Sequence, residues 1–239
     1  MRDHSFGLRL GVASAAAILL LVPFSLIAVL IVGDWGPLHD FDRAVTDALH
    51  GVAAGHPGLV RAMQIWSLVF DPNSWRLAAL VLVIWLYRRR ARMLAMWVVT
   101  TMAVGGVLGA LLKLLVGRHR PDLLDPVARA AGFSFPSGHA LNNALGAGVF
   151  LLVLLPFVRH RPVARVALWT GAIVIPLVTA LSRVVLGVHW TSDVLAGLLL
   201  GLAVVLATAA GYETWRSRSG RTPVHLAGEG VEPDLVREA

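Results

Sequence analysis

The stretch "RRRARMLAMWVVTTMAVGGVLGALLKLLVGRHRP" (residues 88–121) decides the class of fold for this chain. Its middle part, Met93–Leu112, contains no charged side chain, and a helix of about 20 apolar residues can cross the hydrocarbon core of a bilayer. A cluster of arginines precedes this part, and Lys113 and Arg120 follow it. An apolar helix with cations at both ends is typical of a membrane span, because long basic side chains reach water on either side.

The rest of the chain has the same character. Charged residues make up 15% of the sequence, against roughly 25% in soluble domains, and the mean hydropathy is +0.73. The absence of cysteine excludes disulfides and thiolate chemistry. The sequence therefore predicts an all-α polytopic membrane protein with six transmembrane helices, at Leu10–Val32, Pro72–Tyr87, Met93–Leu112, His139–Val158, Val166–Leu186 and Val194–Tyr212. The second of these is short, and the first is interpreted as a retained helix because its apolar run is too long for a signal peptide.

The distribution of arginine predicts the orientation in the membrane. Three loops are rich in arginine, namely "RRRAR" (88–92), "RHRPVAR" (159–165) and "RSRSGR" (216–221), whereas the opposite loops hold most of the aspartates. Loops rich in arginine stay in the cytoplasm, so we expect a cell-membrane protein with both termini inside. The net charge of +7 lies in these loops, and we therefore expect membrane lipids rather than nucleic acid as partners.

Two regions outside the predicted spans have distinct patterns. In the long outer loop from Gly33 to Asp71, apolar residues recur at helical spacing, which predicts a helix lying along the interface; they are Phe41, Val45, Leu49 and Val52. The segment 214–239 is polar and rich in glycine and charge, so we expect a disordered cytoplasmic tail. Residues 1–213 would then form one six-span membrane domain.

Polar residues cluster at the outer ends of three predicted spans. Lys113 and Arg120 lie nearly two helical turns apart, and taken alone they are explained as cations that reach the interface. In "PSGHA", Ser137 is a natural N-cap for the span that begins near His139. The free N–H groups of a helix start bind anions, although an ordinary helix start would have the same sequence.

The third cluster lies in "SRVVLGVHWTSD" (residues 182–193). His189 and Asp193 are four residues apart and share a helical face if the sixth span begins near Gly187 or Val188. The carboxylate can then orient the imidazole and leave its other nitrogen free as base, ligand or nucleophile. Arg183 offers a planar guanidinium for phosphate oxygens. A salt bridge between two spans is the structural alternative. All three clusters together favour a site for a phosphoryl group, with cations, N–H donors and two imidazoles.

These three stretches, in this order, resemble the signature of the type 2 phosphatidic acid phosphatase superfamily, which reads K-x6-R-P, then P-S-G-H, then S-R-x5-H-x3-D. The fixed letters correspond to Lys113, Arg120, Pro121, Pro136, Ser137, Gly138, His139, Ser182, Arg183, His189 and Asp193. The resemblance covers roughly Met93 to Tyr212, and the ordered set is far more specific than any one motif.

The resemblance implies an integral membrane lipid phosphatase. His189 would attack phosphorus and form a phosphohistidine, Asp193 would hold its imidazole, and His139 would protonate the leaving oxygen and later activate water. The residues implied to bind the phosphate are Lys113, Arg120, Ser137, Gly138 and Arg183. No metal or other cofactor is expected, because cations around His139, His189 and Asp193 would oppose a bound zinc ion.

The substrate would be a lipid phosphate presented at the outer face, such as phosphatidic acid, phosphatidylglycerol phosphate or a polyprenyl diphosphate, and undecaprenyl diphosphate is favoured by analogy. A phosphotransferase that uses the same phosphohistidine stays open. Soluble haloperoxidases of the superfamily do not fit six apolar spans. A transporter would place ionisable residues near span midpoints, where this sequence has none.

Overall fold

The structure is a computed structural model that describes residues 2–123, 126–222 and 224–236, with side chains described from residue 15 to residue 234 of these ranges. Across them the regular structure is entirely helical. The helices are α1 (Arg2–Val32), α2 (Gly36–Ala54), α3 (Pro57–Val69), α4 (Pro72–Arg88), α5 (Arg92–Val116), α6 (Gly138–Val158), α7 (Pro162–Val185), α8 (Thr191–Arg218) and α9 (Leu226–Glu229), with a 3₁₀ turn at Pro233–Val236.

Within the described ranges, six segments are long and apolar enough to cross a membrane, which confirms the predicted all-α, six-span fold. The second differs from its predicted form, because α3 and α4 follow each other closely and form one candidate span, Pro57–Arg88. Asp71 ends the short break between them by accepting a hydrogen bond from the Asn73 N–H at 2.8 Å. The short segment predicted from Pro72 is thus the second half of a longer one.

Helices α6 and α8 form the centre of the bundle. The apolar window of α6 is 72% buried and that of α8 is 56% buried, against 17% for α7. Glycines on α8 let the two helices approach closely, since a Cβ on Gly201 would lie 2.9 Å from the Leu141 carbonyl oxygen and one on Gly197 would lie 2.7 Å from that of Ser137. This contact brings the beginning of α6 against the beginning of α8. We call this end of the bundle the site end and the opposite one the tail end.

The segment Gly33–Asp71, which the sequence predicted as one outer loop with one helix, contains α2 and also α3, the first half of the second candidate span. The break falls at Gly55 and His56, directly before Pro57 at the first position of α3. Within α2, Val45 and Leu49 pack against the bundle, whereas Phe41 and Val52 are 53% and 51% exposed. The position of α2 at a membrane interface stays a prediction.

The C-terminal segment differs from the disordered tail expected from its composition. Helix α8 continues to Arg218, past the predicted end at Tyr212. Beyond it the chain folds back, so that the Val231 N–H donates to the Leu152 carbonyl at the tail end of α6 at 3.2 Å. Val224 and Val231 are buried. The polar residues of this segment are held by ion pairs, which a reading of composition alone does not detect.

Candidate active site

Three chain segments at the site end carry all of the predicted site residues. Helix α5 ends after Val116, where Gly117 takes a left-handed conformation with φ 62° and turns the chain toward Arg120. Ser137 precedes the first residue of α6 as its N-cap. His189 lies in the short link between α7 and α8, after Gly187 with φ 66°. Glycine adopts the positive φ at both of these positions without strain.

His189 and Asp193 form the buried pair that their spacing predicted. The two side chains are 3% and 0% exposed, and His189 Nδ1 lies 3.4 Å from Asp193 Oδ2. The same oxygen accepts a hydrogen bond from the Trp190 N–H at 3.0 Å. With the proton on Nδ1, His189 Nε2 keeps its lone pair and accepts from Arg120 Nη1 at 3.1 Å. The arrangement leaves Nε2 as the basic and nucleophilic atom.

The protonation state of His189 follows from its surroundings. Burial lowers the pKa of the imidazole to about 4, because the charged form is poorly solvated. Asp193 acts against this effect, whereas the positive charges of Arg120 and Arg183 act with it. His189 is therefore neutral near pH 7, which is the form that can act as a nucleophile.

The cations of the site are held by neutral carbonyl groups. Lys113 Nζ donates to the Phe133 carbonyl at 2.9 Å. Arg120 donates from Nε to the Gly132 carbonyl at 2.9 Å and from Nη1 to the Val188 carbonyl at 2.6 Å. Carbonyls orient a cation without cancelling its charge. Throughout the described ranges, neither of these two side chains forms an ion pair with a carboxylate.

Two buried polar atoms at the site lack a protein partner. Ser137 Oγ and Arg183 Nε are both inaccessible, and neither has a hydrogen bond to any residue that the structure describes. Buried polar groups are nearly always paired in folded proteins. A Cβ added to Gly138 would meet nothing within 4 Å, so the space beside the first residue of α6 is open. A ligand with several acceptor oxygens would satisfy both atoms.

His139, the second imidazole of the site, has a carboxylate partner that the sequence did not indicate. Its Nε2 lies 3.5 Å from Oδ2 of Asp71, with side-chain exposures of 18% and 32%. Asp71 is the N-cap of α4, so its position is set by the break in the second span. The site therefore contains two histidines, each beside a carboxylate, which is an arrangement suited to proton transfer.

Sequence reasoning also missed a buried group beside Asp193. Arg118 forms ion pairs with Asp193 at 2.8 Å and with Asp42 of α2 at 2.7 Å. Arg118 lies inside the first motif, at one of the variable positions between Lys113 and Arg120. Asp42 was the signal for such a group. It lies on the buried face of α2 with Thr46 and Ala53, and a carboxylate on a buried helical face needs a partner.

No three His, Cys, Asp or Glu side chains among the described residues lie close enough together to hold a metal ion. The metal-free chemistry expected from the resemblance stays a prediction.

The comparisons with known proteins agree on one family. The model of the PAP2 superfamily matches residues 94–217. Phosphatidylglycerophosphatase B of Bacillus subtilis is 41% identical over 100 residues, which are 40% of this chain and 47% of that protein. The undecaprenyl-diphosphatase of Sulfolobus acidocaldarius is 32% identical over 120 residues, 47% of this chain and 52% of that protein. The chain thus spans about half the length of the first curated relatives that it matches.

Two further matches cover more of the molecule. The decaprenylphosphoryl-5-phosphoribose phosphatase of Mycobacterium tuberculosis is 34% identical over 187 residues, 73% of this chain and 94% of that protein. The crystal structure of the transmembrane PAP2-type phosphatidylglycerolphosphate phosphatase from Bacillus subtilis has a TM-score of 0.73 at 25% identity, covering 83% of this chain and 96% of that one. The family model spans more than half of the chain, and the residues of the three motifs lie together at the site end. This multi-pass membrane protein therefore belongs to the PAP2 superfamily.

Proposed function

We propose that this protein is a lipid phosphate phosphatase that transfers a phosphoryl group from a membrane lipid to His189 and then to water. Its relatives are named for phosphatase activity on phosphatidylglycerophosphate, undecaprenyl diphosphate and decaprenylphosphoryl-5-phosphoribose. These substrates share a phosphate or diphosphate group attached directly or indirectly to a long apolar tail. That shared chemistry supports the substrate class.

One observation carries the proposal: the site end has an excess of uncompensated binding groups for an anion. Lys113 and Arg120 have no carboxylate partner within the described ranges, and Ser137 Oγ and Arg183 Nε have no partner at all there. A phosphoryl group carries negative charge on several oxygens and would satisfy these groups together with the N–H groups at the start of α6. The buried His189 lies among them.

The first step would form a phosphohistidine. The lone pair of His189 Nε2 attacks phosphorus, the N–P bond forms, and the bond between phosphorus and the leaving oxygen breaks. Arg120 Nη1 now contacts Nε2 and would pass its hydrogen bond to a phosphate oxygen. Asp193 holds the Nδ1 proton and stabilises the positive charge that develops on the ring. His139, in its protonated form, gives its proton to the leaving oxygen.

The second step would return the site to its starting state. His139 takes a proton from water, the hydroxide attacks phosphorus, and the N–P bond breaks to release inorganic phosphate. The products are a lipid alcohol from a monophosphate, or a lipid monophosphate from a diphosphate. Asp71 lies beside His139 and would keep that imidazole in place for both proton transfers. Gly138 would let the phosphate approach the helix start closely, because it has no Cβ.

The membrane side of the site is proposed from charge. The arginine-rich loops lie at the tail end, and loops of this kind stay in the cytoplasm. The site end would then face the outside of the cell membrane, at headgroup depth, with both termini in the cytoplasm. A polyprenyl diphosphate is the substrate that we favour, since two relatives named undecaprenyl-diphosphatase or its putative form are similar to this chain.

The proposal is tested with purified full-length protein in detergent, supplied with undecaprenyl diphosphate, phosphatidylglycerophosphate and phosphatidic acid in the presence of EDTA. We expect phosphate release that vanadate inhibits, and an acid-labile radiolabelled phosphoenzyme. His189→Ala should lower release by about 10⁴-fold or more and abolish the label, whereas His160→Ala, at an exposed position of the tail end, should change neither. A strict need for a divalent metal, or full activity of His189→Ala, would overturn the mechanism. Phosphate that appears on an added lipid alcohol instead of in solution would indicate a phosphotransferase.

A further inference from the structure

A chain of buried charges connects α2 to the carboxylate that contacts His189. Arg118 is 8% exposed, and its guanidinium lies between two carboxylates. Its Nη1 donates to Asp193 Oδ1 at 2.8 Å, and its Nη2 donates to Asp42 Oδ2 at 2.7 Å. Asp42 and Asp193 are 1% and 0% exposed. The three groups are separated widely in sequence and are joined only by the fold.

The two oxygens of Asp193 are used for different purposes. Oδ1 accepts from Arg118, whereas Oδ2 accepts from the Trp190 N–H and faces His189 Nδ1. Arg118 therefore restricts rotation of the carboxyl group, so that one defined oxygen faces the imidazole. Without Arg118, only the Trp190 N–H would fix the carboxyl group, and the contact between Oδ2 and His189 Nδ1 would be held less firmly.

Asp42 fixes the arginine in turn and also holds the beginning of α8. Its Oδ1 accepts from the Ser192 N–H at 2.9 Å, and its Oδ2 accepts from both Ser192 Oγ and Arg118. Arg118 also donates to Ser192 Oγ at 2.7 Å and lies over the Trp190 ring at 5.5 Å. The guanidinium thus has little freedom to move away from Asp193.

The network places a net negative charge behind the imidazole, since two carboxylates surround one guanidinium. Buried ion pairs are poor devices for stability alone, because apolar side chains of similar size often stabilise as well. The contact of this network with one particular oxygen of the carboxylate beside His189 indicates a role in orienting that carboxylate. Resting on the proposed function, we propose that Arg118 and Asp42 are positioning residues, which hold Asp193 in the orientation that keeps His189 Nε2 free for attack on phosphorus.

Substitutions of Arg118 and Asp42 separate the effect of charge from the effect of contact geometry. Arg118→Lys keeps the charge but not the two-armed contact, and Arg118→Gln removes both. Asp42→Asn removes the charge that holds Arg118. Asp40→Asn is the matched control, because Asp40 is an exposed carboxylate on the same helix. Each variant is purified in full length and checked by size-exclusion chromatography and thermal unfolding before kcat, KM and the pH profile are measured on a lipid phosphate.

We expect kcat to fall about 10- to 100-fold in Arg118→Lys and further in Arg118→Gln, as for other groups that orient a reacting residue, with KM changed by less than about threefold. The acid limb of the pH profile should move in opposite directions. Removing the positive charge in Arg118→Gln favours the imidazolium and moves the limb to higher pH, whereas Asp42→Asn moves it to lower pH. The other charged groups that face His189, namely Arg120, Arg183 and Asp193, are unchanged in these variants. Asp40→Asn should behave as the parent protein.

The outcomes distinguish this inference from the proposed function. If the parent protein hydrolyses lipid phosphate and His189→Ala does not, but the Arg118 and Asp42 variants keep the parent kcat and pH profile, the positioning role is wrong and the phosphatase stands. A loss of thermal stability with unchanged kcat per folded molecule would likewise reduce the network to a structural role. If His189→Ala is fully active, both proposals fail. Should Arg118→Gln not fold, Arg118→Lys and Asp42→Asn carry the same test.

Discussion

Two arginines at the site end, Arg120 and Arg183, are held differently from Arg216 at the tail end, whereas Arg118 at the site end is paired with carboxylates. At the site end, Arg120 donates to carbonyls and to a neutral imidazole, and Arg183 has a buried Nε without a partner among the described residues. At the tail end, Arg216 is fully buried, pairs with Glu232 and lies 3.1 Å from Asp234. Glu232 also accepts from Tyr212 at 2.8 Å and from Arg221 at 2.7 Å.

This difference in pairing distinguishes the proposed binding site from a structural contact. Cations that are held by neutral groups keep their charge available for a ligand, whereas a cation surrounded by carboxylates has nothing left to offer an anion. The two kinds of arginine cannot be told apart by burial alone. They are told apart by the groups to which they donate.

The largest expected effect is on catalysis at the site end. Arg183→Ala should lower kcat/KM for a lipid phosphate by about 10³-fold, because one donor to the transferring phosphoryl group is lost. The midpoint of thermal unfolding should change little, since the described structure shows no ion pair to break. Assays of phosphate release and of unfolding in the same detergent check both expectations. Arg43→Ala, at an exposed position of α2, is the control, and a large loss of stability in Arg183→Ala would mean that the comparison between the two ends is wrong.

The converse result is expected at the tail end. Arg216→Ala leaves Glu232 and Asp234 without their buried cation, and breaking such a pair costs about 3 kcal/mol. Thermal unfolding should show this loss, while kcat per folded molecule at low temperature stays within about twofold of the parent. Arg221→Ala removes a cation whose side chain is 43% exposed, so its cost should be less than about 1 kcal/mol. Equal losses in the two variants would contradict the assignment of Arg216 as the centre of the cluster.

The smallest expected effect concerns pH. Because burial lowers the pKa of His189 to about 4, kcat/KM should vary less than twofold from the acid limb of this group between pH 5 and pH 7. Below pH 4 it should fall about tenfold per unit, as the nucleophile becomes protonated. The unfolded chain has the ordinary value of about 6.5 and binds a proton first, so stability also falls as the pH drops from about 6.5 to about 4. A limb near pH 6.5 assigned to His189 would show that the imidazole is solvated.

Much of the fold was predictable from the sequence, because a run of apolar residues identifies each membrane span. An apolar run of sufficient length is forced to become a helix in a bilayer, and five of the six predicted spans follow from that rule, whereas the second was shorter than the rule requires. The break between α3 and α4 was harder, since apolar residues continue on both sides of Asp71. The packed tail was not predictable from composition, because Arg216 pairs with Glu232, which lies 16 residues further along the chain and is brought close only by the fold.

The candidate site was predictable only in part, for a related reason. His189 and Asp193 are four residues apart, a spacing that predicts contact within a helix; they do meet, although His189 lies in the link just before α8. Asp42 and Arg118 meet only after α2 has folded against the bundle, and no spacing rule connects them. Asp71 is similar, since its distance from His139 depends on where the second span is interrupted. Local patterns identified the groups that we propose to contact phosphate, and the tertiary structure was needed to find the groups that hold them.

Helix α8 is held by side-chain contacts at both of its ends. Its first turn is tied to Asp42 through Ser192, and its last turns are tied through Arg216 to Glu232. Sliding the helix by one turn, about 5.4 Å, would break both attachments at once. These contacts hold Asp193 in place at the start of α8, so that under the proposed function the binding energy of a lipid need not be spent on ordering this residue. In a site that is assembled before the lipid binds, selectivity between lipids would depend on how the tail and headgroup reach the site. It would not depend on closure of the protein around them.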